Sequence, residues 1–387
     1  MDVFSGAQSR AGLSVSQRQR GRSRNGSPEG RHRLPVRAGF VARTVVPPRS
    51  SGRGLTAPRD EASREKHSCP LNSGVRFMTI SAAGDETLTV AIVHYNTPEL
   101  TARCLSSALR VLREGLPGAF RIVVVDNCSE NEKFEALRAA VAQLDAPELL
   151  LVRSCINGGF GLGCMTALNY SAGKFIALVN SDTQFDDDCF SPLIAHLQDH
   201  PDIGVIGAQQ LSEAGAPVRS VGFNESFLTR LKPRRKHALS AAAPADVDYL
   251  FGAFMMFRRE AFAQCGGFDP TIFLFYEEMD VCHRLRANGW RVVFFPGASY
   301  RHLGQGSVSA LSDTKPESDL SLFYVIRKND GYWAWRLMAV SKLLSYSLRA
   351  PFNARARKML RRLLAMGPPQ ALSLRVGQTC NFDYINR

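Results

Sequence analysis

The chain has 387 residues, 45% of them hydrophobic and 9% aromatic, enough for a large core and too apolar for a disordered or fibrous protein. Its net charge of +13 hints at nucleic acid, but residues 1–77 alone hold 14 Arg and 1 Lys against 5 acids, leaving +3 for the rest, so no nucleic-acid partner is expected. The 9 cysteines include no C-x-x-C pair, which argues against a disulfide framework or a cysteine zinc site and favours a reducing, cytoplasmic compartment.

Residues 1–85, rich in Arg, Ser, Gly and Pro without apolar periodicity, read as a disordered segment. An over-extended start, with Met78 opening the domain, is preferred over a disordered tail or a targeting segment. From residue 88 the pattern changes. "LTVAIVHYN" (88–96), "FRIVVVDN" (120–127), "ELLLVRS" (148–154) and "KFIALVNSD" (174–182) read as buried strands. Helices are expected near 98–113, 131–144 and 162–172, and this alternation predicts a mostly parallel sheet covered on both faces. Right-handed crossovers put every parallel strand's C-terminal end on one edge, where ligands bind. A helix near 190–199 and strands at 203–209 and 291–295 follow, with another helix from about Met279 to Ala287. Arg258 and Arg259 read as solvated charges at a strand end. Residues 308–387 are expected to form a linker and a basic amphipathic helical region, which either lies on an anionic membrane surface or packs back on the body. No run reaches the roughly 18 apolar residues of a membrane span.

Three strand ends carry polar residues: His94-Tyr95-Asn96, Asp126-Asn127 and Asn180-Ser181-Asp182. One such Asp is ordinarily a turn former, but three ends on one sheet edge suggest a site. The loop "NGGFGLGCM" (157–165) opens a helix and precedes Asp182 by dinucleotide-like spacing, yet two strand–helix pairs come before it and its pattern is G-x-G-x-G, which argues against a dehydrogenase. "LFYEEMDVC" (274–282) crowds Glu277, Glu278 and Asp280 at a helix start, where one or two acids would satisfy the dipole and the free N–H groups.

Residues 88–307, within an expected domain at 86–307, resemble the family-2 glycosyltransferases of GT-A fold, in particular their rhamnosyltransferase-like subgroup. The resemblance lies in the order and spacing of "VAIVHYN", "IVVVDN", "NGGFGLG", "LVNSDT", "GAFMMFRREAF", "GGFDPTIFLFYEEMDVCHRL" and "RHLGQGS". It implies a Rossmann-like, mostly parallel sheet flanked by helices, with a C-terminal helical tail. It also implies an inverting, metal-dependent hexosyltransferase that moves a sugar from dTDP-rhamnose or a UDP-sugar to a glycan or polyprenyl-diphosphate-linked acceptor, in cell-surface polysaccharide synthesis at the inner face of the plasma membrane. Asp182 would hold Mg2+ or Mn2+ with His302. Donor binding would fall to His94, Tyr95, Asn96, Asp126, Asn157, Gly159, Phe160, Asn180 and Ser181, while Gly252 and Ala253 would let the acceptor approach. The family's usual base is the Asp of Glu-Asp-x-Asp, which corresponds to Glu278 here, one methylene longer. Asp280 and Glu277 are the alternatives, and their other expected roles are helix cap and acceptor orientation respectively. Two further readings are a sugar nucleotidyltransferase, whose Gly- and Arg-rich loop is missing from "VHYNTPEL", and a non-catalytic nucleotide-sugar-binding protein.

Overall fold

A computed structural model describes residues 86–222, 243–304, 314–364 and 373–377, all within the unit Ser73–Arg387. The expected disorder of residues 1–85 lies outside the described residues.

The strands in chain order are β1 (Leu88–His94), β2 (Phe120–Asp126), β3 (Leu149–Arg153), β4 (Phe175–Asn180), β5 (Thr183–Gln184), β6 (Ile203–Leu211), β7 (Val221–Gly222), β8 (Ala245–Asp246), β9 (Tyr249–Leu250), β10 (Phe254–Arg258) and β11 (Arg291–His302). The helices are α1 (Pro98–Gly115), α2 (Asn131–Gln143), α3 (Phe160–Leu168), α4 (Phe190–Asp199), α5 (Arg259–Gln264), α6 (Glu277–Ala287), α7 (Lys315–Asn329), α8 (Gly331–Arg349) and α9 (Ala354–Leu364). The main sheet runs β3-β2-β1-β4-β10-β6-β11-β5, with β8 beside β11, while β7 and β9 form a separate pair. The first four strands are parallel, β10 is antiparallel to both its neighbours, and β6 and β11 are parallel to each other. The expected mostly parallel α/β sheet flanked by helices is therefore the observed architecture.

β1 and β4 are buried on both faces, which is why their sequences are continuous apolar runs rather than alternating ones. One face packs Ile92, Leu105, Leu112, Phe190 and Leu193 beneath α1 and α4. The other packs Val93, Cys164, Phe262, Phe268, Leu285 and Ile326 beneath α3, α5, α6 and α7. Each fully buried side chain of this size contributes about 1.5–3 kcal/mol.

Three local readings differ from the sequence expectation. β11 continues past Phe295 because Pro296 and Gly297 are absorbed in a bulge, the register against β6 jumping between Phe295 and Ser299. Its far end pairs His302 with Thr183. α6 begins at Glu277 rather than near Met279, because Phe275 (φ 70) and Tyr276 (φ 66) make a left-handed approach to it. Arg258 and Arg259 are not free surface charges. Arg258 is buried and donates to the carbonyls of Leu197, His200 and Ile203, closing the C-terminal end of α4, while Arg259 donates to the Gly173 carbonyl and the Thr89 hydroxyl.

Candidate active site

A cavity of about 540 Å³ opens where the C-terminal ends of β1, β2 and β4 meet the start of α6. Two hydrogen bonds to one carbonyl close its floor: Asn180 N–H and the Thr183 hydroxyl both donate to the Ala253 carbonyl, at 3.0 and 3.3 Å. The polar turn after β4 is thereby fixed against the Gly252-Ala253 segment that leads into β10.

On one wall, Asp182 is buried and its Oδ1 lies 3.1 Å from His302 Nε2. The β11 bulge makes this possible, since only a strand reaching His302 can pair beside Asp182, and Leu303 N–H donates to the Asp182 carbonyl at 3.0 Å. His302 Nδ1 faces the Gln210 amide at 3.4 Å. A carboxylate oxygen and an imidazole nitrogen this close, both lining the cavity, are a donor set suited to a divalent cation. Among the described residues no group of three or more His, Cys, Asp or Glu could hold a metal, so such an ion would complete its shell with water and ligand oxygens.

Glu277 and Glu278, in the first turn of α6, also line the cavity. Burial pushes the Glu278 carboxyl up to about 7. Burial, and then the charge of Glu278, raises Glu277 well above the usual carboxylate range. Exclusion of water therefore outweighs the helix dipole, which alone would favour two anions here. Glu277 Oε2 is buried without a hydrogen-bond partner among the described residues. Gly252 lies opposite: a Cβ placed on it would stand 3.7 Å from Glu278 Cδ.

The third wall is the loop before α3. Asn127 Nδ2 donates to Asn157 Oδ1 (2.8 Å) and the Gly159 carbonyl (3.0 Å), and Asn127 Oδ1 accepts from Gly158 N–H (3.2 Å). Gly159 has φ +85, and a Cβ there would collide with the Phe273 carbonyl.

Of the residues singled out in the sequence, Tyr95, Asn157, Gly159, Phe160, Asn180, Ser181, Asp182, Gly252, Ala253, Glu277, Glu278 and His302 line this one cavity. His94, Asn96, Asp126 and Asp280 do not. The first and third follow from the two-residue alternation of a strand. Val93 and Tyr95 face the cavity, so His94 points the other way, its Nδ1 bonded to the Thr101 hydroxyl at 2.7 Å and its charging suppressed by burial to about 4. Asp126 is likewise turned from the cavity and accepts from Arg153 Nε (3.0 Å) and Ser129 N–H (3.2 Å). Asn96 ties two loops together by accepting from Glu130 N–H at 2.9 Å. Asp280 is fully buried against Arg284 and Lys328, with no side-chain capping bond at the start of α6.

Asn127, Gln210, Phe251, Leu274 and Phe275 line the cavity without having been singled out as donor, acceptor or catalytic residues. Asn127 had a signal, since it follows Asp126 at the strand end. Gln210 had none beyond its place near the end of β6, and Phe251, Leu274 and Phe275 are apolar side chains of a kind that core and cavity share.

The family model "Glycosyltransferase like family 2" matches residues 85–328. The low-salt glycan biosynthesis hexosyltransferase Agl10 of Haloferax volcanii is 25% identical over 209 residues, 51% of this chain and 61% of that protein. An N-acetylglucosaminyl-diphospho-decaprenol L-rhamnosyltransferase of Mycobacterium tuberculosis is 28% identical over 134 residues, 34% of this chain and 41% of that protein. The chain thus spans less than two thirds of the length of either relative. A crystal structure of GalNAc-T7 with UDP, GalNAc and Mn2+ aligns with a TM-score of 0.49 at 16% identity, covering 62% of this chain and 47% of that one. The family match takes in well over half of the chain, in the order of the motifs that build the cavity, and the chain belongs to the glycosyltransferase-like family 2.

Proposed function

We propose that the protein is an inverting hexosyltransferase that takes a sugar, rhamnose or another hexose, from dTDP-rhamnose or a UDP-sugar. The acceptor is a hydroxyl of a saccharide or a polyprenyl-diphosphate-linked glycan in cell-surface polysaccharide synthesis, at the cytoplasmic face of the plasma membrane. The observation that carries this reading is the lining of one cavity by the Asp182–His302 pair and by Glu278. The relatives' activities, a hexosyltransferase and a decaprenol-linked rhamnosyltransferase, support the choice of donor and acceptor class.

Asp182 and His302 would hold Mg2+ or Mn2+. When bound, the cation supplies positive charge for the departing diphosphate. Asn127, Asn157 and Gly159 fix the loop along which the nucleoside lies. Glu278 accepts the proton of the acceptor hydroxyl as that oxygen bonds to the anomeric carbon. The bond from that carbon to the diphosphate oxygen breaks on the opposite face, which inverts the configuration. Glu277, whose carboxyl burial pushes well above the usual range, orients the acceptor beside the base.

Release of nucleoside diphosphate by purified protein with Mn2+ or Mg2+ tests this. Wild type should turn over, Asp182→Ala should not, and Glu278→Gln should bind donor yet transfer about a hundredfold more slowly. Unchanged turnover in Glu278→Gln would falsify the assignment of the base, and donor binding without any turnover by wild type would favour a binding protein.

A further inference from the structure

α8 packs Ala334, Trp335 and Met338 on the core and leaves a second apolar face outward. Its inward side carries Met338, which is buried, and Lys342 and Tyr346, whose Nζ and hydroxyl donate to Asp319 of α7 at 2.8 and 2.6 Å. Its outward side carries Trp333, Leu337, Val340, Leu344 and Leu348, spaced by three or four residues and 47–76% exposed. A stripe this regular covers about 22 Å of helix at 1.5 Å per residue. Phe352, 92% exposed, extends it into the turn before α9. Monomeric soluble proteins rarely leave such a continuous apolar surface bare.

The charge of the two C-terminal helices selects the stripe's partner. Residues 331–364 contain eight Lys or Arg and not one Asp or Glu. α9 packs on α8 with Ala356 and Met359 buried, and it presents Arg357 and Arg361 to solvent, while Arg336 and Arg349 are exposed on α8 itself. A second copy docked face to face would bring these cations together with no acid between them, and a nucleic acid would leave the apolar stripe wet. Acyl chains edged by phosphate satisfy both features. Among the described residues no helix is long and apolar enough to cross a membrane, so the contact is interfacial.

We propose that α8 and α9 form a docking face for an anionic membrane leaflet, with the Trp333–Leu348 stripe sunk among the acyl chains and Arg357 and Arg361 on the headgroup phosphates. The inference rests on these two helices alone, so it stands or falls independently of the reading of the cavity.

Flotation of the full chain with lipid vesicles is the test, and an unchanged thermal unfolding midpoint is the control for folding. Wild type should float with vesicles of phosphatidylcholine and phosphatidylglycerol and about tenfold less with phosphatidylcholine alone. The double variant Leu344→Asp/Leu348→Asp should lose about tenfold or more in binding to the mixed vesicles, and Arg357→Glu/Arg361→Glu should lose a similar amount there, both with Tm unchanged. The proposal is overturned if wild type remains unbound to both vesicle types, or if the leucine variant floats as wild type does. It is also overturned if wild type is a dimer that the leucine substitutions dissociate without altering flotation, which would assign the face to a second copy.

Discussion

Glu277 and Glu278 are adjacent in a site too dry for both to ionise freely, and two expectations follow at the scale of the residue. With Glu278 as base, kcat/KM should rise with pH through about 7, and this limb should be missing from the residual activity of Glu278→Gln. Stability should move the other way. A carboxyl whose folded pKa lies above its unfolded value of 4.5 contributes stability below that value and loses it as pH rises through the folded one. Glu277→Gln should therefore raise Tm at pH 8 by about 2 °C or more, with the gain vanishing near pH 4.5. A gain equal at both pH values would show that titration of the carboxyl is not its source. Gly252 offers a contrast: an added methyl would only touch Glu278, so Gly252→Ala should keep its Tm while raising the acceptor KM several-fold.

Among the elements, the approach to α3 and the α6–α7 contact hold the site in shape. Gly159→Ala would meet both a left-handed φ and the Phe273 carbonyl, and should cost about 3 kcal/mol in denaturant unfolding. Lys328 of α7 bonds Asp269 at 2.7 Å and Asp280 at 2.8 Å, so one cation joins the acidic loop, α6 and the C-terminal helices. Burial alone would raise Asp269, but the Lys328 bond and the neighbouring donors Thr271 and Tyr324 bring it down to about 2. That contribution is present above the unfolded value of 3.8 and is lost as pH falls toward 2. Lys328→Met should thus cost about 2 kcal/mol at pH 7, with the penalty shrinking below pH 3. A penalty constant from pH 7 to pH 3 would attribute the loss to packing instead.

Across the whole molecule, the sheet was legible because its central strands are buried on both faces and read as unbroken apolar runs. The cavity was largely legible because parallel strands deliver their polar ends to one edge. What escaped depended on facing and on long-range pairing. His94 and Asp126 stand at the expected strand ends but point away from the cavity lining, a facing that the motifs alone did not reveal. Pro296 and Gly297 looked like a strand stop, and only pairing with β6 and β5 carries β11 on to His302. In the C-terminal region α7 packs into the core through Leu322, Val325 and Ile326, while α8 leaves Leu337, Leu344 and Leu348 exposed.

The central claim is that Asp182, His302 and Glu278 serve one reaction centre. A crystal structure with Mn2+ and an intact nucleotide sugar, with the metal placed by its anomalous scattering, measures this directly. The account predicts one Mn2+ bonded to Asp182 and His302 at about 2.2 Å, the diphosphate on its far side, and the anomeric carbon facing Glu278 across room for a single hydroxyl. A metal held elsewhere, or a sugar directed away from Glu278, would contradict it.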